Sequence, residues 1–400
     1  NNTYSPSAMF GGYPAFGINT FATNPDLRPE RTNSSELGID LRFAKGRFGA
    51  DLAVYDMTTE DQIIYLPVAT STGRTSRLAN GGAIRNRGIE LQLFGDIVKN
   101  DKLTWNSRIN LGANRAVVTE LPDGVSGGYP IVASMFPNDG GTVGLEYVAV
   151  EGELLGQLKG LTFMRDADGN IIHENGLPMV SEEKSTIGSY QPKARIGWMN
   201  SFSVGNWQAN ILFDGQIGGL IYSRSHTLHN TAGNLVNDDD PHLDMNAIDG
   251  RVVYDVTYDG NGEPVYNLDQ AGGVVGSGVM YDASGNLVAN TVSVPIRDYY
   301  YKYYGNVWSR DNIEPSTFDA SYLKLRQLSI AYTVPADKLA NTGLKGLTVS
   351  FVGRNLLLFT KVPTIDPETY SIRNGLFVNG YESTSMPSLR SFGFSINANL

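Results

Sequence analysis

The sequence predicts an all-β fold in which antiparallel strands run up and down across a membrane, as a portion of a transmembrane β-barrel. Only 18% of the 400 residues are charged, 10% are aromatic and 45 are glycine, a mixture that suits strands and turns better than helices. Apolar and polar residues alternate in about nine separate stretches. Short and long connections follow one another between these stretches, as the periplasmic turns and extracellular loops of outer-membrane barrels do.

The clearest predicted strand spans residues 318–335 and ends at a proline. Lys324 and Arg326 alternate with apolar neighbours, so one face of the strand is apolar and the other is charged. Beyond Gln327 the apolar positions change from odd to even numbers. This change predicts one extra residue, a β-bulge, at that point. Two charges on one face also argue against a strand that is buried on both sides.

The same alternation predicts the other strands along the chain. In order they cover residues 37–43, 48–55, 89–93, 103–111, 194–204, 207–213, 347–354 and 392–400. Short turn sequences lie at residues 45–47, 99–102 and 205–206. We expect residues 1–33 to be the tail of an extracellular loop and residues 34–400 to be the C-terminal part of the barrel. The long extracellular loops are predicted near residues 66–82, 122–191, 225–316 and 360–387.

Aromatic residues collect at the predicted strand ends that carry short turns. They are Phe43, Phe48, Trp105, Phe202, Trp207 and Tyr332. Rings at this level suit the boundary between lipid and water. Two polar residues, Ser107 and Asn200, fall on the face predicted to meet lipid, where polar groups need hydrogen-bonding partners. A soluble β-sandwich or propeller with one buried face is the alternative interpretation of the same pattern.

Composition excludes some classes of site and partner. There is no cysteine, which excludes disulfides and thiolate metal sites and leaves the redox compartment open. The net charge of −10 disfavours nucleic acid as a partner, because phosphate binding needs clustered Lys and Arg. No apolar run is long enough for a membrane-spanning helix. The chain starts at Asn1 without an initiator Met or a signal peptide, so we expect it to be one part of a longer polypeptide.

Residues 297–308 form the most suggestive stretch for a ligand. Aromatic faces stack on sugar rings, and tyrosine hydroxyls hydrogen-bond to them. The candidate ligand-binding residues are Tyr299, Tyr300, Tyr301, Tyr303, Tyr304 and Trp308. The same rings could instead line the upper membrane interface, pack the loop onto the barrel or contact a lid protein. The sequence leaves these alternatives open.

The sequence predicts no metal site and no cofactor. An acidic cluster at residues 238–244, with His226 and His229 nearby, has no fixed ligand spacing and is interpreted as a solvated loop. Residues 166–170, DADGN, resemble the start of a calcium loop, but the sixth position lacks Gly and the twelfth lacks Glu. Similar pieces recur at residues 259–262 and 282–286. Such repetition indicates hairpin turns within the long loops.

Charged residues on the polar face of the strands form a second group of candidates. They are Glu36, Asp40, Arg42, Asp51, Glu90, Arg108, Arg195, Asp214, Lys324, Arg326 and Arg354. We expect them to face the lumen of the barrel, because the opposite face of each strand is apolar. There they could line a path for a solute, hold a plug by ion pairs or be solvated in a wide interior.

Four short motifs occur in order along the chain. Residues 24–30 are NPDLRPE, residues 86–91 are NRGIEL, residues 321–335 run from SYLKLR to YTVP, and residues 353–356 are GRNL. Together these motifs resemble those of SusC/RagA-type TonB-dependent outer-membrane transporters of Bacteroidota, which carry NPxLKPE, NxGxEL, SYLRLRNxxLGYTLP and GxNL. The tyrosine-rich strand that ends in proline is the motif that points to the SusC branch.

The resemblance implies a barrel of about 22 strands whose lumen is closed by an N-terminal plug. This chain then supplies roughly the last nine strands, and the plug domain and the segment that contacts TonB lie outside it. The family imports large nutrients, often oligosaccharides and sometimes peptides, across the outer membrane of Gram-negative bacteria. TonB relays the energy, and a SusD-type surface lipoprotein covers the mouth as a lid. A surface-binding barrel or adhesin is the alternative function, and an outer-membrane hydrolase is a further enzyme alternative.

Overall fold

A computed structural model describes most of the chain. The described residues are 4–10, 13–18, 21–132, 144–231, 255–258, 260–261, 264–267, 273–304, 312–340, 342–363, 365–369, 371–373 and 376–399. Nine strands in this part of the chain are at least nine residues long. They are β1 (Arg31–Phe43), β2 (Phe48–Glu60), β3 (Ala83–Lys99), β4 (Thr104–Glu120), β5 (Ala194–Val204), β6 (Trp207–Ile217), β7 (Tyr322–Thr333), β8 (Gly346–Thr360) and β9 (Ser391–Asn399).

The chain forms two compact units. The first unit comprises Asn1–Gly95, Ile109–Tyr129 and Ala149–Leu155, and the second comprises Asp96–Arg108, Pro130–Val148 and Gly156–Leu400. In the first unit, β2 pairs antiparallel with β1 on one side and with β3 on the other. In the second unit, β5, β6, β7, β8 and β9 follow one another as antiparallel neighbours. Both units have the predicted up-and-down order, and the all-β fold class is confirmed.

The long strands expose their apolar side chains. Leu37 of β1 is 64% exposed and Phe394 of β9 is 81% exposed. Other exposed members of this face include Ile39, Leu41, Trp198, Leu323, Ile330 and Ile396. A soluble sandwich would bury such a face against a second sheet, whereas a membrane barrel leaves it to lipid. The exposure therefore favours the membrane interpretation.

The predicted bulge in β7 is confirmed. Against β6, Gln327 pairs with Leu212 and Leu325 pairs with Phe213, so that Arg326 is the extra residue. The neighbouring strand β8 carries its own irregularity opposite this point, where Asn355 has a φ of +52°. A bulge leaves one residue unpaired and changes which side chains share a face beyond it. The bulge at Arg326 therefore explains why the apolar positions of β7 change from odd to even numbers beyond Gln327.

The six aromatic residues predicted near the short turns form three pairs. Ring centroids are 6.1 Å apart for Phe43 and Phe48, 5.6 Å for Trp105 and Phe202, and 4.7 Å for Trp207 and Tyr332. Such pairs contribute roughly 0.5–1.5 kcal/mol beyond the area they bury. Each pair joins two different strands near a short connection, so it also stabilises the register of those strands.

The two polar residues on the apolar face have tryptophan partners. The indole Nε1 of Trp105 donates to Asn200 Oδ1 over 3.0 Å, and Nε1 of Trp198 donates to Ser107 Oγ over 2.9 Å. Asn200 is only 4% exposed. Because lipid cannot supply a hydrogen bond, these two indoles remove most of the cost of placing an amide and a hydroxyl on this face.

The segment before β1 contains more structure than the sequence predicts. Tyr4–Phe10 and Tyr13–Ile18 pair as an antiparallel hairpin within the predicted loop tail. Strand β1 begins at Arg31, earlier than the alternation of apolar residues. Its first residues are polar on both faces, as expected where a strand extends beyond the membrane into water. Alternation therefore marks only the part of the strand that meets lipid.

The remaining elements are short and lie before β1 or in the connections. Short strands are Phe21–Ala22, Ile63–Pro67, Ser76–Asn80, Tyr129–Val132, Glu146–Ala149, Gln157–Gly160, Ile172–Glu174, Leu177–Pro178, Ser185–Ser189, Leu220–Ser223, Asp255–Tyr258, Pro264–Asn267, Gly273–Val274, Val279–Tyr281, Leu287–Ala289, Val294–Pro295, Thr317–Asp319, Ser371–Arg373, Leu376–Val378 and Tyr381–Glu382. The helices are α1 (Arg224–Thr231), α2 (Ile296–Tyr303) and α3 (Ala336–Leu339), with 3-10 turns at Thr70–Thr72 and Glu314–Ser316. Within the described ranges, no helix has the length and apolar character needed to cross a membrane.

The fully buried apolar side chains of the second unit lie mainly in its long connections. One cluster consists of Leu145, Tyr147, Leu158, Tyr222, Ile313, Val378 and Tyr381. A second consists of Phe163, Ile171, Tyr299, Tyr303 and Tyr304. These residues come from segments far apart in the sequence, so the long connections fold together as a packed layer with its own hydrophobic core.

Candidate functional site

Charged side chains of β7 contact a loop that follows β8. Lys324 Nζ lies 2.6 Å from Asp366 Oδ1 and 2.7 Å from Asp366 Oδ2, and it also hydrogen-bonds to Glu368. The Lys324 side chain is only 2% exposed. A buried ammonium requires such partners, because removing a charge from water is costly unless it is paired. The loop and the strand are therefore held together by a compact ion-pair network.

Arg326, the extra residue of the β7 bulge, extends this network to the neighbouring strand. Its Nη2 donates to Asp214 Oδ2 of β6 over 2.7 Å and to Glu368 Oε1 over 2.6 Å. The Tyr322 hydroxyl donates to the same Glu368 oxygen over 2.9 Å. Charge-assisted hydrogen bonds of this kind are about twice as strong as neutral ones. Two cations and three carboxylates thus share one site.

Glu368 has a strongly perturbed pKa. Burial is the largest single influence and raises this pKa, but the hydrogen bonds and charges of Arg326 and Lys324 together outweigh it. The pKa therefore falls from 4.5 to about 2. Asp366 supports the arrangement, since its Oδ1 also accepts the backbone N–H of Glu368 over 3.0 Å. Glu368 consequently stays ionised at neutral pH and helps to hold the loop on the strands.

A cavity of about 340 Å³ lies beside the ion-pair network. The side chains with polar groups that line it include Tyr190, Arg195, Asp214, Gln216, Tyr322 and Glu368. Strand register brings several of them together, because Arg195 of β5 is opposite Gln216 of β6, and Gln216 is opposite Tyr322 of β7. Ligand sites commonly combine a concave surface, aromatic rings and a few polar groups. The cavity is the candidate ligand site of the second unit.

Two glycines allow the backbone to approach Tyr190, which lines this cavity. Gly219 has a φ of +83°, and a Cβ there would lie 2.7 Å from the Tyr190 carbonyl oxygen. Gly380 has a φ of +72°, and its Cβ would lie 2.4 Å from Tyr190 Cβ. A residue with a side chain would be strained in both places. The close approach of these loops to Tyr190 therefore requires glycine.

Three of the candidate tyrosines are buried in the loop layer. Tyr299, Tyr303 and Tyr304 are fully buried, and the Tyr303 ring centroid lies 4.7 Å from that of Phe163. These contacts correspond to the packing alternative that the sequence leaves open. Tyr300 and Tyr301 are partly exposed, whereas Trp308 lies outside the described residues. Ligand binding by this segment stays a prediction.

His173 completes the packing around Tyr299. The two rings stack with centroids 6.0 Å apart, and His173 Nε2 lies 3.2 Å from the Tyr299 hydroxyl oxygen. Burial lowers the pKa of His173, although its hydrogen bonds to the backbone of Ile171 and Val279 oppose this effect. A neutral imidazole suits this interior position, because a buried charge without a partner is costly.

The predicted lumen charges of the first unit also form a network. Arg42 Nη1 lies 2.5 Å from Asp51 Oδ1 and is also paired with Asp40. The guanidinium carbon of Arg42 is 4.6 Å from the centroid of the Phe94 ring. The other predicted lumen residues are exposed, namely Glu36, Glu90, Arg108, Arg195 and Arg354. Their part in a solute path stays a prediction.

The sequence did not identify two acidic residues of the second-unit network. Asp366 and Glu368 flank Pro367 in the predicted loop 360–387. Carboxylates two residues apart, in a loop after a strand, are a weak signal by themselves. A further missed pair lies in the first unit, where Arg85 of β3 makes two hydrogen bonds to Asp56 of β2. Both examples depend on contacts between segments distant in the sequence.

The calcium-like sequences form turns, as predicted. Asp166 Oδ1 accepts the backbone N–H groups of Asp168 and Asn170, and Asp282 Oδ1 does the same for Ser284 and Asn286. The pKa of Asp166 is lowered chiefly by the hydrogen bond from the Asn170 side chain and then by the backbone donors, and the pKa of Asp282 is lowered chiefly by the backbone N–H of Asn286. Among the described residues, no cluster of three His, Cys, Asp or Glu could hold a metal ion. The acidic stretch 238–244 and residues 259 and 262 lie outside the described residues.

Comparison with known proteins identifies a family. A family model described as TonB dependent receptor-like, beta-barrel, matches residues 1–257. TonB-dependent receptor P26 of Formosa agariphila is 26% identical over 393 residues, which cover 94% of this chain and 35% of that protein. TonB-dependent receptor SusC of Bacteroides thetaiotaomicron is 25% identical over 137 residues, or 32% of this chain and 14% of that protein.

Solved structures show a similar fold. The structure of the RagAB peptide transporter matches 100% of this chain and 38% of the matched chain, with a TM-score of 0.64 and 17% identity. The chain spans about a third of the length of the curated relative P26. The predicted resemblance to SusC/RagA-type transporters is confirmed. Because the family model matches well over half of the chain, the chain belongs to the TonB-dependent receptor-like β-barrel family.

Proposed function

We propose that this chain is the C-terminal barrel part of a transporter for TonB-dependent import of a large nutrient across the outer membrane. The nutrient is an oligosaccharide or a peptide, and a SusD-type surface lipoprotein acts as the lid. TonB engages the transporter through a segment that lies outside this chain. The host is a Gram-negative bacterium of the Bacteroidota. The protein is a transporter rather than an enzyme.

The observation that carries the proposal is the two-sided character of the strands in the second unit. Apolar residues such as Trp198, Leu323 and Ile330 are exposed on one side. The other side carries Arg195, Asp214 and Tyr322 around the cavity. A wall that offers apolar residues to lipid and polar residues to a solute is what a barrel importer requires.

The family and its named relatives support this proposal. The matched relatives come from Formosa agariphila and Bacteroides thetaiotaomicron and are named TonB-dependent receptors. The similar solved structure is described as a peptide transporter. That description makes a peptide one of the two substrate classes to test, and the glycan class rests on the resemblance of the sequence motifs.

The test is uptake in cells that carry the full-length gene, its deletion, or a deletion of tonB. We expect labelled oligosaccharides or peptides of one class to enter the periplasm only in cells with both genes. Dissipating the proton-motive force should lower uptake to the level of the deletion strain, because TonB relays that energy.

Two outcomes would contradict the proposal. Binding of ligand at the cell surface without uptake that depends on TonB would indicate a surface-binding barrel or adhesin. Release of shortened oligosaccharide or peptide by the purified full-length protein would indicate a hydrolase. A matched strain that expresses an unrelated outer-membrane barrel controls for entry through porins.

A further inference from the structure

Arg195 lines the cavity and differs from Lys324 and Arg326 of the neighbouring ion-pair network, because it has no carboxylate partner among the described residues. Within the described part of the chain, its guanidinium makes one hydrogen bond, from Nε to Gln216 Oε1 over 3.4 Å. At this distance the bond is weak. Lys324 and Arg326, by contrast, are each bonded to two carboxylates. The cavity therefore contains one guanidinium whose charge is not neutralised by an ion pair in the described part of the chain.

The nearby carboxylates are already engaged. Asp214 and Glu368 line the cavity, and both accept hydrogen bonds from Arg326. The third carboxylate of the network, Asp366, is bonded to Lys324. A carboxylate that turned to Arg195 would give up a charge-assisted hydrogen bond to Lys324 or Arg326, and such bonds are about twice as strong as neutral ones. Arg195 is consequently the cation that is open to a ligand.

The surroundings of Arg195 leave space for such a ligand. Gly197 lies two residues along β5, on the same face, and pairs with Asp214. A Cβ at Gly197 would have no atom within 4 Å. The rings of Tyr190 and Tyr322 contribute to the lining of the same cavity. A guanidinium whose Nη donors have no partner in the described part of the chain, in a cavity that aromatic rings also line, suits a carboxylate that is attached to a ring or a short chain.

We infer that the cavity binds a carboxylate of the imported ligand through Arg195. That the ligand is imported rests on the proposed function. The binding of a carboxylate at Arg195 does not depend on transport. The planar guanidinium accepts a carboxylate through two parallel hydrogen bonds, which a lysine cannot reproduce. The carboxylate is that of a uronic acid in an oligosaccharide or the C-terminus of a peptide.

The experiment measures binding to the full-length transporter, purified in detergent, by isothermal titration calorimetry. One probe pair is digalacturonic acid and its dimethyl ester. The other is the N-acetylated tripeptide Ala-Ala-Tyr and its C-terminal amide. In at least one pair, we expect the free acid to bind roughly tenfold more tightly than the neutral form, because a charge-assisted hydrogen bond is lost with the charge. The pair that shows this preference identifies the source of the carboxylate.

Three variants assign the preference to Arg195. Arg195→Gln should lower the affinity for the acid about tenfold and leave the affinity for the neutral probe nearly unchanged. Arg195→Lys should give an intermediate affinity, since it keeps the charge but not the paired donors. Arg390→Gln is the matched control, because it removes the same charge from an exposed position outside the cavity, and it should retain the preference.

Several results would overturn the inference. Neither acid binding more tightly than its neutral form would show that the cavity does not recognise a carboxylate. An equal loss in Arg390→Gln and Arg195→Gln would show a general effect of charge. If uptake depends on TonB but the acid preference is absent, only this inference fails. If the preference is present but uptake does not depend on TonB, the binding site stands and the transport proposal fails.

Discussion

In the second unit, apolar side chains are exposed on the long strands and buried in the long connections. On the strands, Leu323 is 45% exposed and Phe394 is 81% exposed, whereas in the connections Leu158 and Tyr303 are completely buried. The strands rely on lipid to remove their apolar face from water. The connections extend beyond the lipid and must bury theirs within the protein. The same residue types therefore have different energetic roles in the two regions.

One buried charge of a strand links the two regions. Lys324 lies on a strand and is buried, with its charge paired to Asp366 and Glu368 of a connection. The ion pairs thus join the strand wall to the loop layer, while the apolar contacts stabilise each region separately. Changes at the ion pairs should affect the attachment of the loop, and changes in the apolar clusters should affect the loop layer itself.

The largest effect should follow removal of the buried cation. Lys324→Ala leaves Asp366 buried without its partner, which we expect to cost about 3–5 kcal/mol locally. The loop around residues 361–369 should then detach from β7 and become accessible to protease in the folded barrel. Limited proteolysis with mass spectrometry measures this change. The control is Lys361→Ala, an exposed lysine near the same loop. An equally resistant loop in both variants would contradict the attachment role.

A matched pair of leucines tests the difference between the two regions. Leu158→Ala creates a cavity in the loop layer and should cost about 2–5 kcal/mol. Leu323→Ala on the exposed face of β7 should cost less, because lipid or detergent fills the space and no cavity forms. The two variants are compared by measuring hydrogen exchange of the long connections in the full-length protein. Similar loss of protection in both variants would mean that lipid does not cover Leu323.

Removing a tryptophan partner of a polar residue should lower the stability of the barrel moderately. Trp105→Phe removes the donor to Asn200 and leaves a buried amide oxygen unpaired, at a cost of about 1–3 kcal/mol. The double variant Trp105→Phe with Asn200→Leu should recover most of that cost, since no polar group then remains on the apolar face. Urea unfolding of the refolded full-length barrel in lipid vesicles gives the stabilities of the unchanged protein, the two single variants and the double variant. Additive losses would contradict the proposed pairing.

The smallest effect concerns pH. The pKa of Glu368 is lowered in the folded state from 4.5 to about 2, so its contribution is complete above pH 4.5 and is lost as the pH falls towards 2. Because the Glu368 side chain is about a third exposed, we expect this contribution to be only about 1 kcal/mol. Protease accessibility of the loop should rise over that range. Glu368→Gln should remove this pH dependence, and a profile identical to that of the unchanged protein would disprove the assignment.

The order of the strands and the bulge could be predicted from sequence, whereas the contacts of the site could not. Alternation with a period of two reports which residues share a face, and the phase change near Gln327 marked the bulge directly. The pairing of Lys324 with Asp366 joins residues 42 positions apart. No local sequence pattern predicts this contact, because it depends on how the loop after β8 returns to β7.

The tyrosine-rich segment shows the same limit for apolar contacts. Its composition indicated aromatic contacts but left open whether the rings face a ligand, the membrane or the loop. Tyr303 is buried because Phe163, from another connection, packs on it. The partners of Ser107 and Asn200 are likewise tryptophans on a neighbouring strand, more than 90 positions away. The sequence indicated that these residues make specific contacts. Which contacts they make depends on neighbours that are distant in the sequence.

The sequence by itself determined the all-β class, the run of strands, the bulge and the resemblance to TonB-dependent transporters. These features follow from local periodicity and short motifs, which lipid on one side and water on the other impose on every strand. Only the tertiary structure decided which charges are neutralised. Arg195, Lys324 and Arg326 all lie on polar faces of strands in the sequence. The returning loop brings carboxylates to Lys324 and Arg326, whereas Arg195 lines the cavity without a carboxylate partner among the described residues.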